Sequence, residues 1–312
     1  MSIGKQARGN LLLATAALIW GLAFVAQSVG MEYIGPFTFN AIRMIMGGLV
    51  LIPCIFLLQR WDNHKTAVRA ESATDKRQRQ ITLLRAGVSC GLILCIATSL
   101  QQIGIVYTTA GKAGFITALY IILVPILSIF LRRRITWVIW VSVLIAIAGL
   151  YLLCINETLS ISWGDLLVLI SALFFAIHIL VVDHFASKVE GVKMSCIQFF
   201  IAGIICLLLM FLLERPDIHA ILDCWLPLLY VGILSTAVAY TMQILGQRDT
   251  HPVIASLIMS AESVFAVVFG WLLLNEMLTL PELLGCLLML TAMILAQLFG
   301  QVTETPRMIG QS

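Results

Sequence analysis

The sequence predicts an all-α polytopic membrane protein with ten transmembrane helices, arranged as two inverted five-helix repeats with both termini in the cytoplasm. Three observations support this fold class: the composition, the number of long apolar runs, and the recurrence of similar segments in the two halves. Of the 312 residues, 61% are hydrophobic and 11% are charged, and the mean hydropathy is +1.02. Soluble domains have a much more polar composition, so the lipid bilayer is the expected environment.

The number of spans follows from the length of helix that crosses a bilayer, about 20 apolar residues. Charged residues, prolines and glycines divide the chain into ten apolar runs of that size. The predicted spans are, in order, 11–31, 36–58, 83–106, 113–131, 135–154, 163–182, 194–213, 225–245, 253–274 and 280–299. The Lys and Arg residues lie in the gaps between these runs and not on one surface with aromatic residues, which excludes nucleic acid as a partner.

The orientation follows from the connections, because short connections rich in Lys and Arg stay in the cytoplasm. Of the 19 Lys and Arg residues, 16 lie at the two termini or in connections on the same side of the membrane as the termini. Only Lys112 and Arg215 fall in connections on the opposite side, and Arg43 lies within a span. This asymmetry predicts that both termini are cytoplasmic. The longest connection, 59–82, has mixed charge and few apolar residues, and we expect it to be a mobile cytoplasmic loop.

Similar segments recur in the same order through both halves. The segment "GNLLLATAALIWG" at 9–21 matches "GDLLVLISALFFA" at 164–176 at an offset of 155 residues. The segment "GLILCIATSLQQIG" at 91–104 resembles "GILSTAVAYTMQILG" at 232–246. Together these matches predict an internal duplication.

The duplication predicts a first five-helix repeat over 9–155 and a second over 162–300. Because five is an odd number of spans, the second repeat must cross the membrane upside down relative to the first. Inverted repeats are typical of secondary transporters, in which a central site opens to each side in turn as the two halves rock.

Four segments point to a known family: "AALIWGLAFVAQ", "NAIRMIMGG", "AGKAGFITALYIILVPIL" and "FGWLLLNEMLTLPELLGCLLML". They resemble the EamA family of the drug/metabolite transporter superfamily, and the resemblance covers about residues 9 to 299. It implies ten helices with cytoplasmic ends and the export or import of small organic solutes, and an exporter is the function that we expect. The chain departs from the family pattern at "SAESVF", where Glu262 lies in the ninth span.

Several polar residues and prolines have structural interpretations. Thr279, a following proline and Glu282 have the pattern of a helix start, and Glu276 lies just before them near the membrane boundary. The run 162–165, Ser-Trp-Gly-Asp, has the same pattern before the sixth span. Pro125 removes a backbone hydrogen bond inside the fourth span, so we expect a kink there.

Three ionisable residues inside spans are candidates for substrate binding or proton coupling, because a charge in hydrocarbon needs a cavity or a partner. Glu262 lies near the middle of the ninth span, where it would bind a cation, exchange a proton, or join neighbouring helices as a neutral acid. His178 has either a functional or a structural role. Arg43 shares a helix face with Asn40 and Gly47; it either attracts anions at the outer vestibule or is tied to backbone carbonyls or headgroups.

Polar and aromatic stripes indicate a wall for an amphipathic solute, with aromatic faces for bulk and amides for orientation. Each stripe by itself is also typical of ordinary helix packing. The candidate residues are Trp20, Phe24 and Gln27 in the first span, Gln102 in the third, and Tyr240 and Gln243 in the eighth, with Gln102 aligned to Gln243 in the duplication.

Other classes of function have less support. "GVSCG" at 87–91 fits the GxSxG pattern of serine hydrolases, with Ser89 as nucleophile and His178 as base, but a nucleophile elbow needs a strand–turn–helix and this motif lies in a helical run. A channel is disfavoured because no ring of like charges lines a span. No sequence motif for ATP, a zinc protease, a metal or a cofactor occurs.

The sequence therefore predicts a secondary transporter of small organic solutes or metabolites that is not an enzyme. Its expected partners are a small-molecule substrate and the lipid bilayer. The expected location is the bacterial inner, or plasma, membrane. A homodimer is one oligomeric state that the sequence leaves open.

Overall fold

The computed structural model describes residues 3–65, 73–108, 110–131, 133–154, 162–274, 280–299 and 302–304. The first half contains α1 (Ile3–Gly30), α2 (Pro36–Lys65), α3 (Ala73–Ile105), α4 (Ala110–Ala118), α5 (Tyr120–Phe130) and α6 (Trp137–Cys154). The second half contains α7 (Trp163–Ala186), α8 (Gly191–Leu213), α9 (Ile218–Asp223), α10 (Trp225–Leu229), the π-helical segment Tyr230–Ala239, α11 (Tyr240–Gln247), α12 (Pro252–Met259), α13 (Glu262–Leu274) and α14 (Leu280–Phe299).

The helices form an integral membrane protein. Within the described ranges, eight stretches are long and apolar enough to cross a bilayer. Two shorter apolar helices, Trp137–Gly149 and Leu283–Ala292, lie within α6 and α14, at the fifth and tenth predicted spans. Large apolar side chains such as Phe130 and Leu212, which are 80% and 77% exposed, cover the outside of the bundle, as lipid contact requires.

The start of α7 confirms the predicted helix cap. Ser162 Oγ accepts a hydrogen bond from Asp165 N at 3.1 Å, and Ser162 N donates to Asp165 Oδ2 at 2.7 Å. This reciprocal pair is a capping box, which gives hydrogen-bond partners to the backbone N–H groups of Ser162 and Asp165. The corresponding prediction for the last span concerns Glu276, Thr279 and the side chain of Glu282, which lie outside the described residues.

Three of the predicted spans are not regular helices. The fourth is divided at Leu119 into α4 and α5, and α5 continues through Pro125, so the interruption comes before the proline at which we expected a kink. The ninth is divided at Ser260 and Ala261 into α12 and α13. The eighth consists of α10, the π segment and α11. Irregular backbone at membrane depth is tolerated where protein or a cavity surrounds it.

The predicted loop at 59–82 is shorter than expected. Helix α2 continues to Lys65 and α3 begins at Ala73, so both ends of that segment are helical. Charged residues at the ends of spans can extend a helix beyond the apolar run because water satisfies their side chains. Hydropathy therefore underestimates the length of these two helices.

The two halves of the chain interleave. The most extensive helix contacts join α2 to α8, α6 to α14, and α3 to both α7 and α8, and each of these pairs takes one helix from each half. Close approach is possible because small residues lie at the crossings. For example, a Cβ on Gly203 of α8 would lie 3.1 Å from the backbone nitrogen of Ile45 in α2.

Two short strands add a feature that the sequence analysis does not predict. Strand β1 (Arg133–Ile135) pairs with β2 (Val302–Glu304) in an antiparallel manner. The pairing brings the connection between α5 and α6 against the segment that follows α14.

Candidate functional site

A cavity lies in the middle of the bundle. Seven of the residues predicted for a substrate site line it: Trp20, Phe24, Gln27, Arg43, Tyr240, Gln243 and Glu262. Seven further residues complete the wall and were not predicted: Gln101, Thr117, Tyr120, Phe175, Ile179, Ser235 and Met259. Its mixture of aromatic and polar groups is typical of small-molecule sites.

The two interrupted spans meet inside this cavity. Tyr120 is the first residue of α5, after the break at Leu119, and Glu262 is the first residue of α13, after the break at Ala261. The Tyr120 hydroxyl donates a hydrogen bond to Glu262 Oε1 at 3.0 Å. Ser263 Oγ donates to the Ser260 carbonyl at 2.8 Å, which satisfies a backbone group at the break. The interruptions thus place a phenol and a carboxyl group together on the cavity wall.

The π segment forms another part of the wall, held by helix α1. The Trp20 indole Nε1 donates to the Ser235 carbonyl at 3.3 Å, and the Tyr230 hydroxyl donates to the Ile19 carbonyl at 2.9 Å. Single-turn π bulges are frequent at functional sites. Tyr240 follows the segment directly, and the edge of its ring packs against Trp20 with ring centroids 4.9 Å apart.

Arg43 lies inside the bundle and is only 2% exposed. Its Nε donates to Asn40 Oδ1 at 2.7 Å, and Asn40 Nδ2 donates to the Thr98 carbonyl at 3.1 Å, which fixes the asparagine. The guanidinium carbon lies 6.0 Å from the centroid of the Phe39 ring. Within the described chain, Arg43 Nη2 is buried and has no hydrogen-bond partner. The guanidinium therefore presents a donor at the cavity rather than reaching lipid headgroups.

The amide side chains supply acceptors. The buried oxygens Gln27 Oε1 and Gln243 Oε1 have no hydrogen-bond partner among the described residues. Gln101 Nε2, in contrast, donates to Thr117 Oγ1 at 3.0 Å. A buried acceptor without a partner costs free energy, so these oxygens favour a ligand that carries N–H or O–H groups.

Two predicted site residues lie outside the wall. His178 is fully buried, its Nε2 is 3.1 Å from Gln198 Oε1, and its ring is 6.2 Å from that of Tyr240. It packs behind Tyr240. Gln102 donates from Nε2 to the Gln27 carbonyl at 3.5 Å and supports α1 from behind. The neighbouring Gln101 faces the cavity instead.

The hydrolase motif is part of a continuous helix. Ser89 lies in the middle of α3, and a Cβ on Gly91 would lie 2.8 Å from the Gln198 carbonyl oxygen of α8. The two glycines of the motif thus allow close helix packing. Within the described residues, no group of three His, Cys, Asp or Glu side chains is placed to hold a metal ion.

The internal duplication is a sequence signal for some of the wall residues that were not predicted. An offset of 155 leads from Trp20 to Phe175 and from Phe24 to Ile179. An offset of 142, which separates the final glycines of the matched segments at 91–104 and 232–246, leads from Tyr120 to Glu262. Applying these offsets to the predicted residues identifies four of the seven: Phe175, Ile179, Tyr120 and, from Gln243, Gln101.

Comparison with known proteins assigns the chain to a family. A model of the EamA-like transporter family matches residues 7–155 and again residues 162–298. The chain belongs to the EamA-like transporter family. An uncharacterized transporter of Archaeoglobus fulgidus is 30% identical over 302 residues, which cover 94% of this chain and 87% of that relative. The uncharacterized transporter YoaV of Bacillus subtilis is 22% identical, with 88% of this chain and 92% of YoaV covered.

A crystal structure of another protein has the same fold. It superimposes on this EamA-like chain with a TM-score of 0.73 and 17% identity, and the match covers 93% of this chain and 96% of the other. The family and the names of the relatives identify a membrane transporter, and they point to transport rather than to catalysis.

Proposed function

We propose that this EamA-like protein is a secondary transporter that exports small organic solutes across the plasma membrane by alternating access. In this proposal ten spans form two inverted repeats, both termini are cytoplasmic, and the central cavity is the substrate site. The observation that carries the proposal is that equivalent residues of the two halves line the cavity in pairs. Inverted repeats place a substrate site at the interface between their two copies.

The first support comes from the interrupted spans. At an offset of 142 residues, the start of α4 at Ala110 corresponds to the start of α12 at Pro252, and Leu119 corresponds to Ala261. Tyr120 and Glu262, which are 142 residues apart, are thus equivalent, and they are hydrogen-bonded to each other. Equivalent residues of an inverted duplication touch only near the twofold axis that relates the copies. That axis would pass through this hydrogen bond.

Four other equivalent pairs line the same cavity. They are Trp20 and Phe175, Phe24 and Ile179, Gln101 and Gln243, and Thr117 and Met259. Both halves contribute the same positions to one wall. If each half takes the conformation that the other half had, a site that faces one side of the membrane becomes a site that faces the other side. This is the geometric requirement for alternating access.

The interleaved packing refines the expected motion. Since α2 packs on α8 and α6 packs on α14, the halves are not two separate bodies. We expect that the moving groups combine helices of both halves, rather than the first five helices rocking against the last five.

The chemistry of the wall limits the substrate. Glu262 supplies a carboxyl group, Arg43 a guanidinium, and Gln27 and Gln243 supply amide oxygens, while five aromatic residues supply apolar surface. A small solute with an apolar part and several hydrogen-bond donors matches these groups. Glu262 is the candidate group for binding a cation or exchanging a proton.

The test is flux into proteoliposomes that contain the purified protein, screened across amino acids, nucleosides, polyamines and cationic drugs. A carrier gives flux that saturates with solute concentration, whereas a channel gives flux that rises in proportion. Glu262→Gln should lower the rate and remove its dependence on a pH gradient. Glu32→Gln, at an exposed carboxyl group, is the matched control. Flux equal to that of empty liposomes for every solute class, or flux without saturation, would refute the proposal.

A further inference from the structure

Two polar contacts each join a helix of the first half to a helix of the second half. The first, which we call the α1–α11 contact, joins Gly9 and Asn10 to Gly246 and Thr250. Thr250 Oγ1 donates a hydrogen bond to Asn10 Oδ1 at 3.0 Å. A Cβ on Gly9 would lie 2.9 Å from the Gly246 carbonyl oxygen, so the two helices touch through their backbones.

The second, which we call the α3–α7 contact, has the same construction. It joins Gly104 and Thr108 to Gly164 and Asp165. Thr108 Oγ1 donates to Asp165 Oδ1 at 2.7 Å, and a Cβ on Gly164 would lie 2.7 Å from the Gly104 carbonyl oxygen.

The two contacts are equivalent in the duplication. Offsets of 155 and 142 residues relate Gly9 to Gly164, Asn10 to Asp165, Gly104 to Gly246, and Thr108 to Thr250. Because the repeats are inverted in the proposed function, the two contacts lie toward opposite faces of the membrane. Each opens when the cavity opens on its own side.

The contacts differ in charge. At the α3–α7 contact, Lys112 Nζ lies 2.7 Å from Asp165 Oδ2, and the two side chains are only 21% and 5% exposed. At the α1–α11 contact, the equivalents of these residues are the buried apolar Ile254 and the neutral Asn10. Water screens a partly buried ion pair less than an exposed one, so opening the α3–α7 contact separates two charges whose equivalent positions at the α1–α11 contact are neutral.

We propose that Lys112 and Asp165 form an ionic latch that keeps the cavity closed at the α3–α7 end and so biases the resting transporter toward opening at the α1–α11 end. With two equivalent neutral contacts, the conformer open at the α1–α11 end and the conformer open at the α3–α7 end would have about equal populations. The ion pair stabilises the first of these conformers. The inference rests on the proposed function. With the proposed orientation, the latch closes the outer face, and the resting site loads its solute from the cytoplasm, as an exporter requires.

The test varies Lys112, because Asp165 also caps α7. The reporter is Met259→Cys on the cavity wall, in a background with Cys54→Ser, and labelling of the parent without the reporter is subtracted. A membrane-impermeant maleimide is applied to sealed vesicles of both orientations that contain the full-length protein. The measured quantity is the ratio of labelling rates through the two ends of the cavity.

Lys112→Gln should shift this ratio about fivefold toward the α3–α7 end, which is the effect of losing one ion pair of moderate strength. Lys112→Arg should restore the original ratio. Arg215→Gln, an exposed cation on the same predicted side, is the matched control and should change nothing. Asp165→Asn, which keeps an acceptor for Thr108, provides a second variant if Lys112→Gln is poorly folded.

Each remaining outcome has a definite meaning. If the reporter reacts through both ends but the ratio is the same in all variants, the latch is refuted and alternating access stands. If Lys112→Gln raises labelling equally through both ends, the residue only stabilises the bundle and the latch is again refuted. If the reporter reacts through a single end in every variant, the proposed alternating access itself fails.

Discussion

Glu214 offers the sharpest test of how the two halves are joined. It follows α8 in the second half, and its carboxylate accepts three hydrogen bonds at the start of α2 in the first half. Phe37 N donates to Oε1 at 2.8 Å, and Thr38 N and Thr38 Oγ1 donate to Oε2 at 2.8 and 2.6 Å. A carboxylate here satisfies backbone donors that no helical carbonyl reaches and interacts favourably with the helix dipole.

The effect of removing this carboxylate follows from those bonds. A helix cap contributes about 1 kcal/mol and each hydrogen bond to a charged group about 1.5–3 kcal/mol, but the three bonds share one group that water partly reaches. We expect Glu214→Ala to lower the free energy of unfolding by about 2–3 kcal/mol, which corresponds to roughly 4–6 °C in Tm at about 2 °C per kcal/mol. Glu214→Gln keeps one acceptor oxygen and should lose about half as much.

The assay is thermal unfolding of the detergent-solubilised protein at one fixed heating rate. Glu32→Ala, an exposed acid close to the start of α2 in sequence, is the control. A double-mutant cycle with Thr38→Val isolates the bond to the hydroxyl group. The reasoning is wrong if Glu214→Ala and Glu32→Ala have the same Tm, or if the cycle shows no coupling between Glu214 and Thr38.

Three further predictions concern the cavity and the helix contacts. Tyr120→Phe removes the hydroxyl that donates to Glu262, and initial rates of flux should fall about tenfold, as expected for a lost hydrogen bond to a buried carboxyl group; an unchanged rate would count against a role for this pair. Gly164→Leu inserts a side chain where even a Cβ would lie 2.7 Å from the Gly104 carbonyl oxygen, so Tm should fall by about 5 °C or more in the same unfolding assay. His178→Gln should leave the KM for flux within about twofold because His178 does not line the cavity.

The sequence predicts the helices of this fold well because lipid imposes a simple rule on composition and length. It predicts the interruptions poorly. Leu119 and Ala261 lie in the middle of apolar runs, where hydropathy is the same whether the backbone is helical or broken. Pro125 lies inside α5, and the interruption at Leu119 comes before it, at a position that no proline or glycine marks.

The site residues show the same limit. Helical periodicity placed Trp20 and Phe24 on one face correctly, since that needs only the geometry of a single helix. A single-helix pattern does not show which side chains of other helices surround His178, and the structure places its ring 6.2 Å from that of Tyr240, outside the wall. Gln101 and Gln102 differ because neighbouring residues point about 100° apart on a helix: Gln101 lines the cavity, and Gln102 donates to the Gln27 carbonyl.

The interleaving of α2 with α8 and of α6 with α14 has a consequence for biosynthesis. Helices of the first half enter the bilayer while the ribosome has not yet made the helices on which they pack. Until then their small-residue and polar faces, including the one that carries Arg43, must contact lipid or the insertion machinery. A gene divided between the halves should therefore yield stable product only when both fragments are synthesised in the same cell.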